Sequence, residues 1–261
     1  MITSVHNPKI KWVRSLQSDL AARKEAGAFV VEGVRLAEEA LASGWPVQLV
    51  LYDEDLGARG RLVVDNFIVQ GAPVEVVAEN VLGAASDTQT PQGVLAVIEM
   101  RSLPLPPALD FIFIPDGVRD PGNLGSMLRT AAAAGVQAVL LPKGAVDAYA
   151  PKVVRAAMGA HFHLPIASRA WEEITSLLGR EELHIYLADA AAGEPYFRCD
   201  LRSPLALIVG GEAQGAGEAA RSLAEATLHI PMASGVESLN AGAAAAVLLF
   251  EVARQRAQKD V

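Results

Sequence analysis

The sequence is poor in cysteine, in long apolar runs and in positive charge. Its single cysteine, Cys199, excludes an internal disulfide and a metal site built from several cysteines, and it predicts a reducing, cytoplasmic environment. The longest apolar candidate, residues 241–250, is short and alanine-rich. It indicates a buried helix, because a membrane span needs roughly 18 to 20 apolar residues. The N-terminal residues lack the apolar core of a secretory signal peptide.

The net charge of −8 argues mildly against a nucleic-acid partner, because phosphate neutralisation requires lysine and arginine. The basic residues are unevenly distributed, however, and residues 1–24 hold a local excess of them over a single acid, Asp19. They are Lys9, Lys11, Arg14, Arg23 and Lys24. An acidic protein with a basic N-terminal patch is compatible with RNA binding, so charge alone does not decide the class.

Half of the residues are hydrophobic (51%), which excludes global disorder, and 261 residues are enough for two domains. The three prolines of residues 104–110 favour an extended linker, because proline continues neither a helix nor a central strand. We therefore predict an N-terminal domain at residues 1–103, a linker at 104–110 and a C-terminal domain at 111–261.

Both domains are predicted to be α/β, with short apolar strands alternating with helices. In the first we expect helices at residues 8–25 and 33–42, and strands at 28–32, 48–52, 74–77 and 93–99. In the second we expect strands at 111–115, 138–141, 162–166, 184–188 and 205–209, and helices at 124–134, 171–178, 218–224 and 238–258. Uninterrupted apolar runs favour a mostly parallel sheet, whose ligands bind beyond the carboxyl ends of the strands.

The first segment with side chains suited to catalysis or binding is residues 116–130. Asn123 is predicted to cap a helix, and Arg129 lies six residues further along. Because the rest of that helix is apolar, a buried Arg129 guanidinium would need a partner. A capping asparagine with a solvated arginine is an equally good interpretation of this segment taken alone.

Residues 205–217 form the second segment, a strand that ends in glycines. Gly210, Gly211 and Gly215 favour close approach of the backbone to a ligand. No Lys-Ser/Thr pair follows, so the segment is not a Walker loop. It is also a poor dinucleotide fingerprint, because it follows a late strand and because Glu212 would repel a pyrophosphate.

Residues 229–251 form the third segment. Ser238 and Asn240 stand where a helix begins, and they offer polar side chains next to free backbone N–H groups. The alanine-rich helix that follows allows close packing of another element. A capped interior helix is the alternative interpretation.

Taken in this order, the three segments resemble the SpoU (TrmH-like) family of RNA ribose 2′-O-methyltransferases, in the SPOUT superfamily. The resemblance covers about residues 111–256 and rests on residues 123–130, 210–215, 230–232 and 238–240, with 151–160 as a further family segment. The first 100 residues resemble the family's N-terminal substrate-binding domain, which is similar to a small RNA-binding ribosomal protein. The marks of that domain are residues 4–10 and 29–33.

The resemblance implies a deep trefoil knot in the C-terminal domain, a homodimer formed through that domain, and S-adenosylmethionine (AdoMet) as the cofactor. The implied cofactor-binding residues are Gly210, Gly211, Gly215, Ile230, Met232 and Leu239. The implied catalytic or substrate-positioning residues are Asn123, Arg129, Glu212, Ser238 and Asn240. We expect RNA contacts from Lys9, Lys11, Arg14 and Arg155.

The implied reaction requires a group that takes a proton from a ribose hydroxyl, which is hardly ionised at neutral pH. The family proposal assigns this proton to Arg129. Because an arginine side chain is a very weak acid and keeps its proton, we interpret Arg129 as the group that fixes the RNA phosphate and the hydroxyl and at most relays the proton. Asn123 would orient Arg129, Ser238 and Asn240 would hold the ribose, and no metal is required.

One position departs from the family pattern. Where the family usually has Val-Ser after the asparagine of motif three, this chain has Ala241 and Gly242. The missing hydroxyl removes one brace of motif three and leaves the main catalytic positions in place.

The expected substrate is ribosomal RNA of the large subunit, with transfer RNA as the second choice. A noncatalytic RNA-binding protein of the same fold is the chief alternative, and the complete set of catalytic positions argues against it. The glycine loop taken alone would also suit an oxidoreductase with a nucleotide cofactor.

Overall fold

The computed structural model describes residues 1–191, 193–211, 215–234 and 238–258. It consists of two compact units. The first contains Met1–Arg101 and Tyr149–Phe162, and the second contains Ser102–Ala148 and His163–Val261. Among the described residues, no helix is both long and apolar enough to cross a membrane.

The helices, in chain order, are α1 (Pro8–Ser18), α2 (Leu20–Ala26), α3 (Val34–Ser43), α4 (Ala58–Val69), α5 (Glu79–Ala85), α6 (Pro121–Ala133), α7 (Pro151–Ala157), α8 (Trp171–Arg180), α9 (Glu218–Leu223) and α10 (Ala241–Ala257). The strands are β1 (Ala28–Glu32), β2 (Val47–Tyr52), β3 (Val74–Val76), β4 (Val94–Glu99), β5 (Phe111–Asp116), β6 (Ala138–Pro142), β7 (Ile166–Arg169), β8 (His184–Ala188), β9 (Glu194–Pro195), β10 (Leu205–Gly210) and β11 (Ala226–His229).

The first unit has a four-stranded sheet in the order β1-β4-β2-β3. Strand β4 runs antiparallel to both of its neighbours, and β3 runs parallel to β2. Helices α1 and α5 pack on this sheet through apolar side chains such as Ile10, Val13 and Leu82, all essentially inaccessible to solvent. The predicted helix at residues 8–25 is two helices, because Asp19 has extended backbone and caps α2 by accepting from Ala21 N.

The segment Tyr149–Phe162, which includes α7, packs with the first unit, although the sequence placed it in the C-terminal domain. The contact is aromatic. The Phe29 ring lies 5.0 Å from that of Tyr149, and the Trp45 ring meets that of Phe162 edge-on at 5.2 Å. These pairs join residues more than 100 positions apart in the chain, so local sequence patterns do not reveal them.

The second unit has a seven-stranded sheet in the order β7-β6-β5-β10-β8-β11-β9. Every neighbouring pair is parallel, which confirms the prediction of an α/β fold with a mostly parallel sheet. Its core contains Ile112, Ile114 and Ile208 from the central strands, and α8 adds Ile174 and Leu178. Helices α6 and α10 pack against each other, with α10 also against β10.

Two element predictions in this unit were wrong. The strand expected at residues 162–166 is β7, which begins at Ile166, because Ala160–Phe162 forms a 3-10 turn. The helix expected from residue 238 begins at Ala241, because Asn240 has non-helical backbone and acts as the N-cap. Helices α4, α5 and α7 and strands β9 and β11 were not predicted.

Candidate active site

Strands β8, β10 and β11 end at one edge of the second sheet, where they border a cavity of about 260 Å³. This position beyond the carboxyl ends of parallel strands is the one that the sequence predicted. All six residues expected to hold the cofactor line the cavity, and so does Ser238. The six are Gly210, Gly211, Gly215, Ile230, Met232 and Leu239. The structure therefore brings motifs two and three together around one space.

The described wall of this cavity suits a nucleoside. Aliphatic side chains, among them Leu228 and Leu248, supply most of it, and Gly210, Gly211 and Gly215 contribute backbone without side chains. Ligand pockets are mostly apolar with a few polar groups and span roughly 300–1,000 Å³, and this cavity of about 260 Å³ lies just below that range. The residues present fit the adenosine part of AdoMet.

The glycines of motif two allow the backbone of this chain to pack on itself. A Cβ atom at Gly211 would lie 2.2 Å from the Gly117 carbonyl oxygen, and one at Gly210 would lie 2.3 Å from the Ala216 nitrogen. Both distances are far below contact, so larger residues cannot stand at these two positions without moving the backbone. The sequence analysis attributed these glycines to close approach of a ligand. In the structure, the atoms nearest to Gly211 belong to the loop after β5, and those nearest to Gly210 belong to the far end of its own loop.

Asp116, at the end of β5, braces the same loops, and sequence reasoning did not single it out. It is buried, and its carboxylate accepts from Gly217 N at 2.7 Å, just after motif two. Its backbone carbonyl accepts from Gly211 N, also at 2.7 Å. Asp116 thus holds both ends of the glycine loop against the end of β5.

Asn123 and Asn240 join motif one to motif three. The Asn240 Nδ2 atom donates to Asn123 Oδ1 at 2.9 Å. The Asn240 Oδ1 atom accepts from Gly242 N at 2.9 Å and Ala243 N at 3.2 Å, which caps α10. One side chain therefore both begins α10 and holds α6 beside it.

The prediction that Asn123 caps α6 was wrong. The cap is Asp120, whose Oδ1 atom accepts from Asn123 N at 2.8 Å, with Pro121 as the first helical residue. The Asn123 backbone is thereby satisfied within α6 while its side-chain carbonyl reaches across to Asn240.

Gly242, one of the two residues that depart from the family pattern, lies against this asparagine pair. A Cβ atom there would come within 3.2 Å of Asn240 Oδ1, 3.5 Å of Asn123 Oδ1 and 3.6 Å of Ser126 Cβ. The first distance is tighter than ordinary contact. The small residue accommodates the close packing of α6 on α10 at this point.

Arg129 is exposed on α6, so the expectation of a buried guanidinium was wrong for the single chain. The buried face of the helix belongs to Leu124, Leu128 and Ala131. Arg129 projects to one side of that face, as its helical position requires. An exposed guanidinium is accessible to a phosphate. Glu212, also expected to be catalytic, lies outside the described residues.

Asp189 and Arg221 are charged residues of the cavity wall that the sequence analysis missed. Asp189 directly follows β8, and its side chain is only 15% exposed. Its carboxylate accepts from Ala191 N at 3.0 Å and forms an ion pair with the Arg221 guanidinium. The Ala191 N–H, followed by Arg221, holds the pKa of Asp189 below its ordinary value, so the carboxylate is ionised at neutral pH.

Comparison with known proteins places these motifs in a family. Residues 110–250 match the SpoU rRNA Methylase family, and residues 7–96 match the MRM3-like substrate binding domain. The chain belongs to the SpoU rRNA methylase family. This confirms the resemblance seen in the sequence.

Relatives from several bacteria align over nearly their whole length with this SpoU family member. The 23S rRNA (guanosine(2553)-2'-O)-methyltransferase RlmP of Bacillus subtilis is 35% identical over 251 residues, covering 96% of this chain and 98% of that protein. The 23S rRNA (uridine(2479)-2'-O)-methyltransferase of Streptomyces viridochromogenes is 32% identical over 268 residues, covering 98% and 92%. The crystal structure of an AdoMet-bound rRNA methyltransferase from Sinorhizobium meliloti superposes with a TM-score of 0.86 at 31% identity, covering 97% of each chain.

The part of this SpoU protein that matches a substrate-binding domain carries a basic groove. The groove has a volume of about 410 Å³ and lies between α1 and the end of α5. Lys11, Arg14 and Asp87 line it, and Asp87 forms an ion pair at 2.8 Å with Arg155 of α7. The structure thus brings three of the four predicted RNA-binding residues together.

Lys9, the fourth of these residues, forms an ion pair with Glu75. Its charge is therefore partly compensated within the chain. Buried Glu32 fixes the loop that carries Asp87, because its carboxylate accepts from the Ser86 and Thr88 hydroxyls.

Helix α10 of the SpoU domain has one exposed apolar edge. Val247 and Phe250 lie on it with 37% and 50% of their surface exposed. Ala241 and Ala245 of the same helix are buried within the subunit, and Ala244 is partly buried. The described residues contain no group of three or more His, Cys, Asp or Glu side chains that could hold a metal ion.

Proposed function

We propose that this protein transfers the methyl group of AdoMet to a ribose 2′-hydroxyl of large-subunit ribosomal RNA. The observation that carries the proposal is the cavity at the carboxyl ends of β8, β10 and β11, lined by all six residues assigned to the cofactor. The bond between Asn123 and Asn240 ties motif one to motif three, which also contributes to that cavity. The full-length relatives named as 23S rRNA 2′-O-methyltransferases support the reaction and the substrate.

The chemistry divides between cofactor and protein. When bound, AdoMet supplies an electrophilic methyl group on a sulfonium. The protein must align the ribose oxygen with it and accommodate the proton that the oxygen loses. Arg129, exposed and permanently charged, fixes the RNA phosphate and the hydroxyl. Asn123 and Asn240 hold α6 and α10 in register, and Ser238 contacts the ribose from the cavity wall.

Transfer RNA is the second substrate candidate. The structure of a protein described as methylating C/U34 on tRNA aligns with only 57% of this chain, at 26% identity and a TM-score of 0.52. Because the ribosomal RNA enzymes match both units, the two-unit layout favours ribosomal RNA. The cytoplasmic location expected from the sequence remains part of this proposal.

The test is methyl transfer from tritiated AdoMet to 23S rRNA and to total tRNA, each lacking the modification. We expect label in 23S rRNA at one nucleotide, mapped as a phosphodiester that resists alkaline hydrolysis. Label confined to tRNA would show that transfer RNA, and not ribosomal RNA, is the substrate. No transfer to either RNA, with RNA binding intact, would establish the noncatalytic alternative.

We also propose that the basic groove of the first unit binds RNA backbone. Lys11 and Arg14 are exposed on one wall, and Arg155 is held beside it by Asp87. The amide nitrogen and oxygen of Gln17, another lining residue, are buried without a hydrogen-bond partner among the described residues. Cationic side chains can bind the phosphate of a phosphodiester, and an amide without a hydrogen-bond partner can bond to its ribose.

Replacing Lys11 and Arg14 together by alanine should therefore weaken RNA binding. Loss of two phosphate contacts should lower the slope of log affinity against log salt by about 1.4 to 1.8, and AdoMet binding should not change. Filter binding across a salt series measures the slope. Arg59→Ala, which removes an exposed arginine paired with Glu38, is the control. An unchanged slope in the double variant would show that RNA binds elsewhere.

We further propose a homodimer formed through the second unit, and the trefoil knot implied by the family. The exposed Val247 and Phe250 of α10 support the dimer, because an apolar patch on the surface is typical of a protein–protein interface. Strand β10 lies between β5 and β8, both of which precede it in the chain, so the chain returns to the centre of the sheet. This topology supports the knot. A crystal structure traced through the whole chain tests the knot.

Light scattering tests the dimer. The parent protein at micromolar concentration should have about twice the chain mass of 27.4 kDa, and Phe250→Asp should lower the mass to that of one chain. Leu62→Asp, which places the same charge at a more exposed apolar residue of α4, should leave the mass unchanged. A parent that is monomeric and methylates RNA would exclude the dimer.

A further inference from the structure

The cavity wall contains one ionised acceptor to which the family motifs assign no role. Of the described residues that line the cavity, Asp189 alone carries a carboxylate. Its side chain is largely buried and aligned by two donors, Ala191 N and the Arg221 guanidinium. An ionised carboxylate offers about four lone-pair sites, so these two contacts leave acceptor capacity on a group at the cavity surface.

Arg221 ties this carboxylate to motif two. Its Nε atom donates to the Ala216 carbonyl at 3.2 Å, directly after the glycine loop, while its Nη1 atom holds Asp189. The end of β8, the loop after β10 and the first turns of α9 therefore meet at one guanidinium. Such an anchored side chain loses little conformational entropy when a ligand binds.

We infer that Asp189 is a cofactor-binding residue whose carboxylate accepts hydrogen bonds from the ribose diol of AdoMet, with Arg221 as its positioning residue. The inference rests on the proposed function, since it takes AdoMet as the ligand of the cavity. Vicinal hydroxyls are natural donors to a carboxylate at the end of a parallel strand, the arrangement that doubly wound folds use for nucleotide riboses.

The charge of Arg221 decides between the donors that AdoMet offers. Its α-ammonium group, placed on Asp189, would lie within a few ångströms of the guanidinium that already neutralises this carboxylate, and like charges at that range repel. The ribose diol is neutral and incurs no such repulsion. A carboxylate with a compensated charge therefore selects the diol over the ammonium.

The test is calorimetric binding of S-adenosylhomocysteine and of 5′-methylthioadenosine, which keeps the ribose but lacks the amino-acid part. Asp189→Asn should weaken both by a similar factor, about 10- to 100-fold, as expected for lost hydrogen bonds to a charged group. The 3′-deoxy analogue of methylthioadenosine should bind the parent more weakly than methylthioadenosine does. The Asp189→Asn substitution should lower the affinity for the deoxy analogue by a smaller factor than the affinity for methylthioadenosine. Asp200→Asn is the matched control, because Asp200 also pairs with an arginine, Arg202, but does not line the cavity.

Three results would overturn the inference. If Asp189→Asn weakens the binding of S-adenosylhomocysteine alone, Asp189 contacts the ammonium group. If it weakens the binding of the deoxy analogue as much as that of its ribose counterpart, Asp189 contacts the adenine. If all affinities stay at the parent values, Asp189 does not contact the ligand. The analogue comparison on the parent protein needs no variant, so a misfolded Asp189→Asn leaves the question decidable. If the parent binds none of these ligands, the proposed function fails together with the inference.

Discussion

Arg129→Ala should lower methyl transfer by about 100- to 1,000-fold while S-adenosylhomocysteine binds as before. Arg129 is exposed on α6, so its removal leaves no cavity and should leave the fold intact. The loss would come from the transition state, where a fixed cation stabilises the phosphate and the reacting hydroxyl. A 100-fold loss corresponds to about 2.7 kcal/mol in the barrier. Single-turnover transfer and calorimetry measure the two quantities separately.

Two further variants make the Arg129 result specific. Arg129→Lys keeps the charge but loses the planar fork, so it should recover only part of the rate. Arg180→Ala removes an equally exposed arginine from α8 and should leave the rate unchanged. If Arg129→Ala turns over within about threefold of the parent, a barrier change below 1 kcal/mol, Arg129 does not have the assigned role.

Substitutions of Asn240 should separate its two structural tasks. Asn240→Ala removes the cap of α10 and the bond to Asn123, so we expect a loss of about 1 kcal/mol in the free energy of unfolding and at least tenfold in transfer rate. Asn240→Ser keeps a capping oxygen but has no amide to reach Asn123. It should restore most of the stability and little of the rate. Denaturant unfolding and transfer kinetics measure the two effects.

Controls for Asn240 come from elsewhere in the chain. Asn7 caps α1 by accepting from Lys9 N at 2.9 Å, so Asn7→Ala should cost similar stability without affecting the reaction chemistry. In a double-mutant cycle, Asn123→Ala with Asn240→Ser should be no slower than the slower single variant. Rate losses that multiply would show that the two asparagines act independently.

The strands of the second sheet were largely predictable from local pattern. The uninterrupted apolar runs at Phe111–Asp116 and Leu205–Gly210 are typical of buried parallel strands, and both are found close to the predicted bounds. Helices α4 and α5 escaped prediction because their apolar residues are interrupted by glycine and charge. The split of the first helix at Asp19 follows from one residue's backbone angles, and residue periodicity does not report such angles.

Motif order predicted which residues the fold brings together, and their roles remain predictions. The co-occurrence of three segments grouped Gly210, Ile230 and Leu239, and these residues meet at one cavity. It missed Asp116, Asp189 and Arg221, which carry no motif of their own and gain importance only from their neighbours. The single signal available was position, since Asp116 ends a predicted strand and Asp189 directly follows one.

The sequence by itself determined the family, the α/β class and the residue types that line the cavity at the ends of β8, β10 and β11, because these depend on local pattern and motif order. Tertiary structure alone decided that Asn123 and Asn240, 117 positions apart, form a hydrogen bond. It also decided that Tyr149–Phe162 packs with the first unit, where the Tyr149 ring contacts that of Phe29. It also decided that Arg129 faces solvent. Such contacts depend on how elements distant in the chain pack together, and the sequence of one element does not show which other element packs against it.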